Sequence, residues 1–181
     1  MDRRHNYLYT AFFCEENIWH FLNTQQLNES QEYSAVFITN AHRQVALARQ
    51  SMGDENGVVV WDYHVIAISH SPTPMVWDFD TRLPFPCPAH KWLSGTFGPF
   101  LAAPKRYQPI FRLATTSRFL NSFNSDRRHM RGPGGQWLQP PPDWPLIGEG
   151  HNLDTWLDVS DDQFGVLYDQ AELMAQLSRI G

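Results

Sequence analysis

Hydrophobic positions are concentrated in two neighbouring stretches, residues 58–68 and residues 75–80, which are rich in β-branched and aromatic residues. A polar segment with two prolines, residues 71–74, separates them. This pattern predicts two antiparallel strands joined by a tight connection, because β-branched and aromatic side chains favour strands and prolines interrupt them. The predicted hairpin forms the centre of the expected sheet.

The hairpin brings a histidine opposite two carboxylates. Folding the chain back at the turn places His64 opposite the segment from Asp78 to Asp80. Because strand side chains alternate between faces, Asp78 and Asp80 would share one face while Trp77 and Phe79 take the other. A carboxylate that faces an imidazole can fix its tautomer and orientation. The alternative interpretation is a sheet with one polar face.

A helix is predicted near the N-terminus. Apolar positions recur at helical spacing over residues 14–25, so the helix begins at or beside Cys14 and ends between residues 24 and 28. Glu15 and Glu16 fall in its first turn, where acidic residues favour the positive end of the helix dipole. A thiol at this position would have a lowered pKa and nearby N–H donors for an oxyanion. The alternative is that Cys14 is a small buried hydrophobic residue.

The remaining pattern predicts a mixed chain of helices and strands. We expect strands at residues 34–39 and 110–114, a strand or short helix at 45–49, and helices at 116–123 and 153–157. Thr116 or Ser117 would cap the first of these helices, and the capping box from Asp169 to Glu172 would open a final helix.

Two further segments are predicted to be less regular. Residues 83–88 contain three prolines, which favours an extended segment outside any central strand. Cys87 lies in this segment with no predicted helix N-terminus nearby, so we interpret it as structural. Residues 89–109 are expected to be loop and short helices.

The composition fits one domain over residues 1–181. With 42% hydrophobic and 18% charged residues, the chain can bury a sizeable core. The net charge of −5 argues against a nucleic-acid-binding protein, which needs a clustered basic surface. Two cysteines do not make a disulfide framework and favour a reducing compartment. No apolar stretch has the length of a signal peptide or a membrane span, so we expect a soluble intracellular protein.

The candidate residues suggest nucleophilic catalysis. Cys14, His64, and then Asp78 or Asp80 follow the chain order of thiol hydrolases of the papain and transglutaminase type. In such sites an imidazole takes the thiol proton and later protonates the leaving group, while a carboxylate steadies the imidazolium. The local papain signature around the cysteine is absent, so a papain-type endopeptidase is not supported. A metal site on His64 with Asp62, Asp78 and Asp80 fits less well, because no second histidine lies close in sequence.

Several rare runs together resemble one enzyme family. Three of them contain the candidate residues: CEENIW at 14–19, WDYHV at 61–65 and DFDT at 78–81. Further matches lie at residues 83–87, 123–130 and 140–142. These runs span nearly the whole chain and closely resemble the protein N-terminal glutamine amidohydrolase family, which takes its motif name from WDYHV.

This resemblance implies a reaction and a fold. Members remove the side-chain amide of an N-terminal glutamine on proteins and peptides, leaving N-terminal glutamate and ammonia. The fold is a single-domain α-β-α sandwich with a mostly antiparallel sheet, related to papain and transglutaminase. The catalytic residues carry over as Cys14, His64 and Asp78, and we expect a γ-glutamyl thioester on Cys14. The loop between His64 and Asp78 is shorter than the family pattern, which leaves Asp80 as the alternative.

The resemblance also implies partners and a location. The expected partners are proteins or peptides with an N-terminal glutamine and the downstream enzymes of the N-degron route, because the new glutamate can be arginylated and recognised for degradation. No cofactor, metal, nucleic acid or membrane is expected. The protein is expected to be a monomer in the cytosol or nucleus.

Selectivity for an N-terminal residue requires a partner for a free α-ammonium, since burying that cation unpaired is costly. Glu15, Glu16, Asp62 and backbone carbonyls are the candidates for this role, and Trp61, Tyr63 and Trp77 could form the walls of the pocket. A further group, Ser125, Asp126, Arg127 and His129, could shape the cleft or tie down a loop. The alternatives are that the two glutamates are solvated first-turn residues and that the aromatic residues serve core packing.

Two other function classes stay open. One is a related thiol acyltransferase or a general glutamine deamidase, which would pass the acyl group to an amine or accept internal glutamine. The other is a non-catalytic module that binds N-terminal glutamine. A matched nucleophile and base argue against the binding module, because binding alone does not require them.

Overall fold

The computed structural model describes residues 4–26 and 31–180, and within them the chain forms five α-helices and eight strands. The helices are α1 (Cys14–Gln25), α2 (Ala89–Phe97), α3 (Thr116–Ser122), α4 (Leu153–Trp156) and α5 (Gln170–Ile180). The strands are β1 (Glu32–Thr39), β2 (Val45–Leu47), β3 (Val59–Trp61), β4 (His64–His70), β5 (Met75–Trp77), β6 (Cys87–Pro88), β7 (Ile110–Thr115) and β8 (Val166–Tyr168). Short 3-10 helices lie at Arg4–Asn6, Gly98–Phe100, Lys105–Tyr107 and Arg128–Met130.

Six strands form one sheet in the order β6-β5-β4-β1-β7-β8, and each neighbouring pair is antiparallel. The long central strands β1 and β4 pair with Ala35 opposite Ala67. Strands β2 and β3 form a separate two-stranded sheet. The proline-rich segment contributes β6 at the edge of the large sheet, as expected for a strand that lacks N–H donors.

Helices cover both faces of the large sheet. On β1, Ala35 and Phe37 pack into a core formed with α1, α3 and α4, whereas Val36 and Ile38 pack into a second core formed with α2 and α5. The interpretation of a sheet with one polar face is therefore wrong, since all but the last residue of β4 are buried. The three layers confirm the predicted α-β-α fold class, while the relation to papain and transglutaminase stays a prediction.

The prediction of one strand over residues 58–68 is wrong, because the chain breaks between β3 and β4. The Asp62 carboxylate accepts a hydrogen bond from the backbone N–H of Tyr63, and Thr39 Oγ1 donates to the Asp62 carbonyl over 2.7 Å. A short polar side chain that captures a nearby N–H competes with the strand ladder. The break allows β3 to pair with β2 and places Asp62 in the turn that leads to His64.

The second predicted strand also ends early, at Trp77 instead of residue 80. Asp78 Oδ1 accepts the backbone N–H of Asp80 over 3.0 Å, which turns the chain after β5. Trp77 and Phe79 pack into the core beneath α1, while the two aspartates lie elsewhere. The predicted separation of the aromatic and acidic side chains is confirmed even though the strand does not extend through them.

Helix ends follow the sequence signals in part. The final capping box is confirmed, since Asp169 and Glu172 exchange backbone-to-carboxylate hydrogen bonds of 2.8 Å. The predicted caps of α3, Thr116 or Ser117, are wrong by one and two positions, because the cap is Thr115, which accepts the N–H of Arg118. Cys87 does lie near a helix start, two residues before α2. No helix in the described ranges is long and apolar enough to cross a membrane.

Candidate active site

A cavity of about 250 Å³ lies between the start of α1, the turn before β4 and the loops that follow β5 and α3. Among its lining residues are six that the sequence singled out: Cys14, Trp61, Asp62, Tyr63, His64 and Asp80. The structure thus brings the predicted nucleophile and base to one cavity, from elements that are 50 residues apart in sequence.

The candidate nucleophile Cys14 is the first residue of α1, and one side chain fixes the segment before it. Asn17 accepts a hydrogen bond from the Thr10 N–H over 2.8 Å and donates to the Thr10 carbonyl over 2.9 Å. Phe13, the residue before the helix, offers no side-chain cap. The first N–H groups of an α-helix have no partner within the helix, so the N–H groups beside Cys14 are available to a ligand.

The prediction that the helix N-terminus lowers the pKa of Cys14 is wrong. Burial raises the pKa of the thiol well above its usual value, and the Glu15 and Asp80 carboxylates raise it further. The nearby backbone of Val65 lowers the pKa of the thiol, but by less than burial and the two carboxylates raise it. The resting sulfur is therefore a neutral thiol, which needs a general base before it can attack.

The base candidate His64 is paired with Asp78. Its Nε2 lies 2.8 Å from Asp78 Oδ1, and the two side chains are 2% and 0% exposed. Trp92 Nε1 and Gln50 Nε2 donate to Asp78 Oδ2 over 3.0 and 3.2 Å, and the Asp80 N–H donates to Oδ1. These four donors hold the Asp78 carboxylate in one orientation toward the imidazole.

The contact between His64 and Asp78 also shifts the pKa of both side chains. Burial by itself lowers the pKa of His64, but Asp78, together with Asp80 and Glu15, more than offsets it, so the pKa is raised. Burial raises the pKa of Asp78, but His64 and the Trp92 hydrogen bond outweigh it, so the pKa is lowered. Since Asp78 engages Nε2, the ring nitrogen left for exchange with Cys14 is Nδ1. Trp61 stacks on the imidazole with ring centroids 6.4 Å apart.

Glu15 and the partly buried His129 form a second pair beside the thiol. Glu15 is 0% exposed, so the interpretation of a solvated first-turn residue is wrong for it. Its carboxylate accepts the Tyr63 hydroxyl over 2.9 Å, lies 3.7 Å from Cys14 Sγ and lies 3.2 Å from His129 Nε2. Burial lowers the pKa of His129, but Glu15, together with Glu16 and Asp62, more than offsets it, so the pKa is raised. The Glu15 carboxylate is thus committed to protein partners.

Glu16 does not face the cavity and is also fully buried, so neither the solvated nor the α-ammonium interpretation matches its position. Arg127 donates to both of its carboxylate oxygens over 2.8 to 3.2 Å. Trp144 Nε1 adds a hydrogen bond of 2.7 Å, and Ser125 adds one of 3.3 Å. Arg127 also donates to carbonyls of the proline-rich segment at residues 142–145. The ion pair ties that segment to α1.

We expect Arg127→Met to lower the free energy of unfolding by about 3–5 kcal/mol, because Glu16 would remain buried without its cation. The neighbouring variant Arg128→Met is the matched control, since Arg128 is exposed and pairs with Asp126 at the surface. Exposed ion pairs contribute little to stability. Urea unfolding of both variants measures the difference, and equal midpoints for the two would contradict a structural role for the Arg127–Glu16 pair.

Of the other predicted pocket residues, three line the cavity, whereas Trp77 does not and packs against the core beneath α1. Asp62 is exposed and lines the cavity, with Oδ1 held by the Tyr63 N–H. Trp61 and Tyr63 line the cavity too. Tyr63 also belongs to the core beneath α1, and Trp61 packs against the second core, so each has the core-packing role given as the alternative as well.

Three residues around the site were missed by sequence reasoning, and a fourth, His129, was given only as one that could shape the cleft or tie down a loop. Gln50 and Trp92 hold Asp78, Tyr9 donates to Asp80 over 2.6 Å, and His129 pairs with Glu15. His129 lies in one of the runs that carry the family resemblance, which was the available signal for it. The other three lie outside those runs and reach the site only through tertiary packing.

Ligand atoms of His64, Asp78 and Asp80 lie within 4.8 Å of one another, which is the arrangement considered above for a metal. The described geometry favours a hydrogen bond instead, because His64 Nε2 and Asp78 Oδ1 already contact each other directly at 2.8 Å. A metal held by these two atoms would have to displace that bond.

Comparisons with known proteins agree with the resemblance noted from the sequence. A family model described as N-terminal glutamine amidase matches residues 9–177. Proteins named protein N-terminal glutamine amidohydrolase from Drosophila mojavensis and Drosophila ananassae are each 41% identical over 152 residues, which cover 80% of this chain and 74% of each relative. One from Drosophila willistoni is 41% identical over 146 residues, covering 77% of this chain and 71% of the relative. The chain therefore belongs to the N-terminal glutamine amidase family of amidohydrolases.

Proposed function

We propose that this protein hydrolyses the side-chain amide of an N-terminal glutamine on proteins and peptides, releasing ammonia and leaving N-terminal glutamate. The observation that carries the proposal is the shared cavity of Cys14 and His64, with His64 hydrogen-bonded to Asp78, in a chain of the N-terminal glutamine amidase family. The three residues act as nucleophile, general base and orienting carboxylate.

In the first half of the reaction, His64 Nδ1 takes the Cys14 proton and the sulfur attacks the δ-carbonyl carbon of glutamine. The nearby Val65 N–H stabilises the thiolate as it forms, because the Val65 backbone favours the charged form of the sulfur. N–H groups at the start of α1 stabilise the oxyanion, since they lie beside the nucleophile without helical partners. His64 then gives its proton to the departing nitrogen, which leaves as ammonia and yields a γ-glutamyl thioester.

In the second half, His64 removes a proton from water, which attacks the thioester carbon. Collapse of this intermediate breaks the C–S bond, returns the proton to Cys14 and leaves the glutamate side chain. Asp78 holds the same imidazole orientation in both halves and stabilises the imidazolium that forms in each.

The α-ammonium of the substrate binds Asp62 in this proposal. Glu15 and Glu16 are occupied by Tyr63 and Arg127, whereas the Asp62 carboxylate is exposed and faces the cavity. A carboxylate at this position forms a charge-assisted hydrogen bond with the free α-ammonium, which only an N-terminal residue has. Asparagine is one methylene shorter, so its carbonyl would stop short of the sulfur, a misplacement that costs about a hundredfold in rate.

We also propose that the reaction serves the N-degron route. The product glutamate is the residue that arginyl transfer requires, so the protein would act upstream of that step in the cytosol or nucleus, as a monomer. A coupled assay tests this: a Gln-initiated protein should accept arginine from an arginyl-transferase only after treatment with the active enzyme, and arginylation without treatment would contradict it.

The reaction is tested with four matched peptides that begin with Gln, Asn or acetylated Gln, or carry Gln only internally. We expect ammonia release and a mass gain of about one dalton, the difference between an amide and an acid, for the free N-terminal Gln peptide alone, because only it places a carboxamide and a free amine together in the cavity. Conversion of the acetylated or internal peptide would indicate a general deamidase. Adducts formed with an added amine would indicate an acyltransferase, and no conversion with reduced Cys14 would indicate a binding module.

A further inference from the structure

Asp80 is a buried carboxylate in the cavity to which the catalytic proposal assigns no role. It is 4% exposed and lines the cavity together with Cys14 and His64. A ligand atom of Asp80 lies within 4.8 Å of one on His64, and its charge is close enough to the thiol to raise the pKa of Cys14. A carboxylate in this position lies beside both groups that act on the substrate amide.

The Asp80 carboxylate is held in place on one side only. Tyr9 donates its hydroxyl to Oδ1 over 2.6 Å, and the backbone N–H of Asp80 is fixed on Asp78. Within the described residues, Asp80 Oδ2 accepts no hydrogen bond, and it is not among the fully buried atoms that lack a partner, so it stays accessible. The imidazole already uses Asp78 as its partner, so Asp80 Oδ2 is an acceptor available to a ligand in the cavity.

We infer that Asp80 distinguishes the substrate from the product, by accepting a hydrogen bond from the carboxamide nitrogen of glutamine and repelling the carboxylate of glutamate. The inference rests on the proposed function and adds a specificity-determining residue to it. The carboxamide nitrogen is bonded to the carbon that sulfur attacks and is the atom that His64 protonates, so it must lie beside both side chains. The α-ammonium, separated from that carbon by three others, lies too far along the substrate to use the same acceptor.

Hydrolysis reverses the interaction at this position. The amide and one water become a carboxylate and ammonium. The N–H that donated to Asp80 is thereby replaced by a carboxylate oxygen, so a favourable hydrogen bond becomes a contact between two acceptors. Like charges at close range in a partly desolvated site repel strongly. Asp80 would thus orient the leaving group before the reaction and favour release of the product after it.

The test measures binding in the Cys14→Ala background, in which the substrate is not consumed. Calorimetry gives Kd for two peptides that differ only in an N-terminal Gln or Glu. We expect Asp80→Asn to reduce the preference for Gln at least about tenfold, mainly because the Glu peptide binds more tightly once the repulsion is removed. Asp62→Asn is the matched control: it removes a carboxylate from the same cavity, and both peptides should weaken equally.

A second measurement keeps Asp80 intact and changes the ligand. An N-terminal residue with a methyl ketone in place of the carboxamide has the same shape and carbonyl but no N–H donor. It should bind about tenfold more weakly than Gln, the usual loss for a hydrogen bond to a charged group. An unchanged Gln-to-Glu ratio in Asp80→Asn, or equal Kd values for ketone and Gln, would overturn the inference. Conversion of the Gln peptide by the active enzyme tests the proposed function separately.

Discussion

Cys14→Ala is expected to lower kcat/KM for an N-terminal Gln peptide by at least about 10⁴-fold, because the variant has no atom that can form the thioester. The fold should be retained, since alanine suits the first turn of a helix and the change removes one buried atom. Ammonia release and peptide mass measure the activity, and circular dichroism with thermal unfolding checks the structure. Undiminished ammonia release would contradict the assignment of the nucleophile.

Cys87→Ala is the matched control for this prediction. Both thiols are buried and free, but Cys87 lies in β6, opposite Val76, and packs into the core beneath α2 and α5. Burial raises the pKa of Cys87 as well, so a high thiol pKa does not distinguish the two. What distinguishes them is the imidazole that shares a cavity with Cys14. Cys87→Ala should therefore keep its turnover and lose some stability, and equal loss of activity in the two variants would point to unfolding.

The elements that could be predicted from the sequence are those set by local pattern. The start and end of α1, the strands β1 and β7, and the capping box of α5 depend on residues within a few positions of one another. The central hairpin was predicted too long at both ends, because the Asp62 and Asp78 carboxylates capture backbone N–H groups and end the strands. A hydrogen bond from a backbone N–H to a carboxylate competes with strand pairing, and a hydrophobic run in the sequence does not show which of the two forms.

The residues of the candidate site could be predicted from the sequence motifs, but the burial and the pKa shifts around them could not. The residues of the CEENIW, WDYHV and DFDT runs meet at one cavity, although nothing in their spacing decided between Asp78 and Asp80. The burial of Glu16 depends on Arg127, 111 residues away, and the raised pKa of Cys14 depends on packing around the start of α1. Both depend on long-range contacts. From the helix N-terminus alone we predicted a lowered pKa for Cys14 and, as an alternative, solvated first-turn glutamates. Neither prediction can be corrected without knowing the long-range contacts.

The two aspartates are therefore the most informative pair to compare. We expect Asp78→Asn to lower kcat for the Gln peptide by about 10³ to 10⁴-fold, because an amide that donates toward Nε2 favours the wrong tautomer of His64 and does not stabilise the imidazolium. Asp80→Asn should lose far less activity, since the His64–Asp78 hydrogen bond stays intact. A large loss in Asp80→Asn with near-normal turnover in Asp78→Asn would exchange their roles.

The pH profile gives this comparison a second readout that a purely structural defect would not produce. Because the resting sulfur is a neutral thiol, the acidic limb of kcat/KM reports the protonation of His64 in the free enzyme. Burial lowers the pKa of His64, and Asp78 makes the largest of the contributions that raise it, so removing this carboxylate lets the pKa fall even though Asp80 and Glu15 remain. The acidic limb should therefore move to lower pH in Asp78→Asn, measured on the residual activity. A shift to higher pH would show that the limb belongs to a different group, and an unchanged limb would show that Asp78 is not the partner of the titrating imidazole.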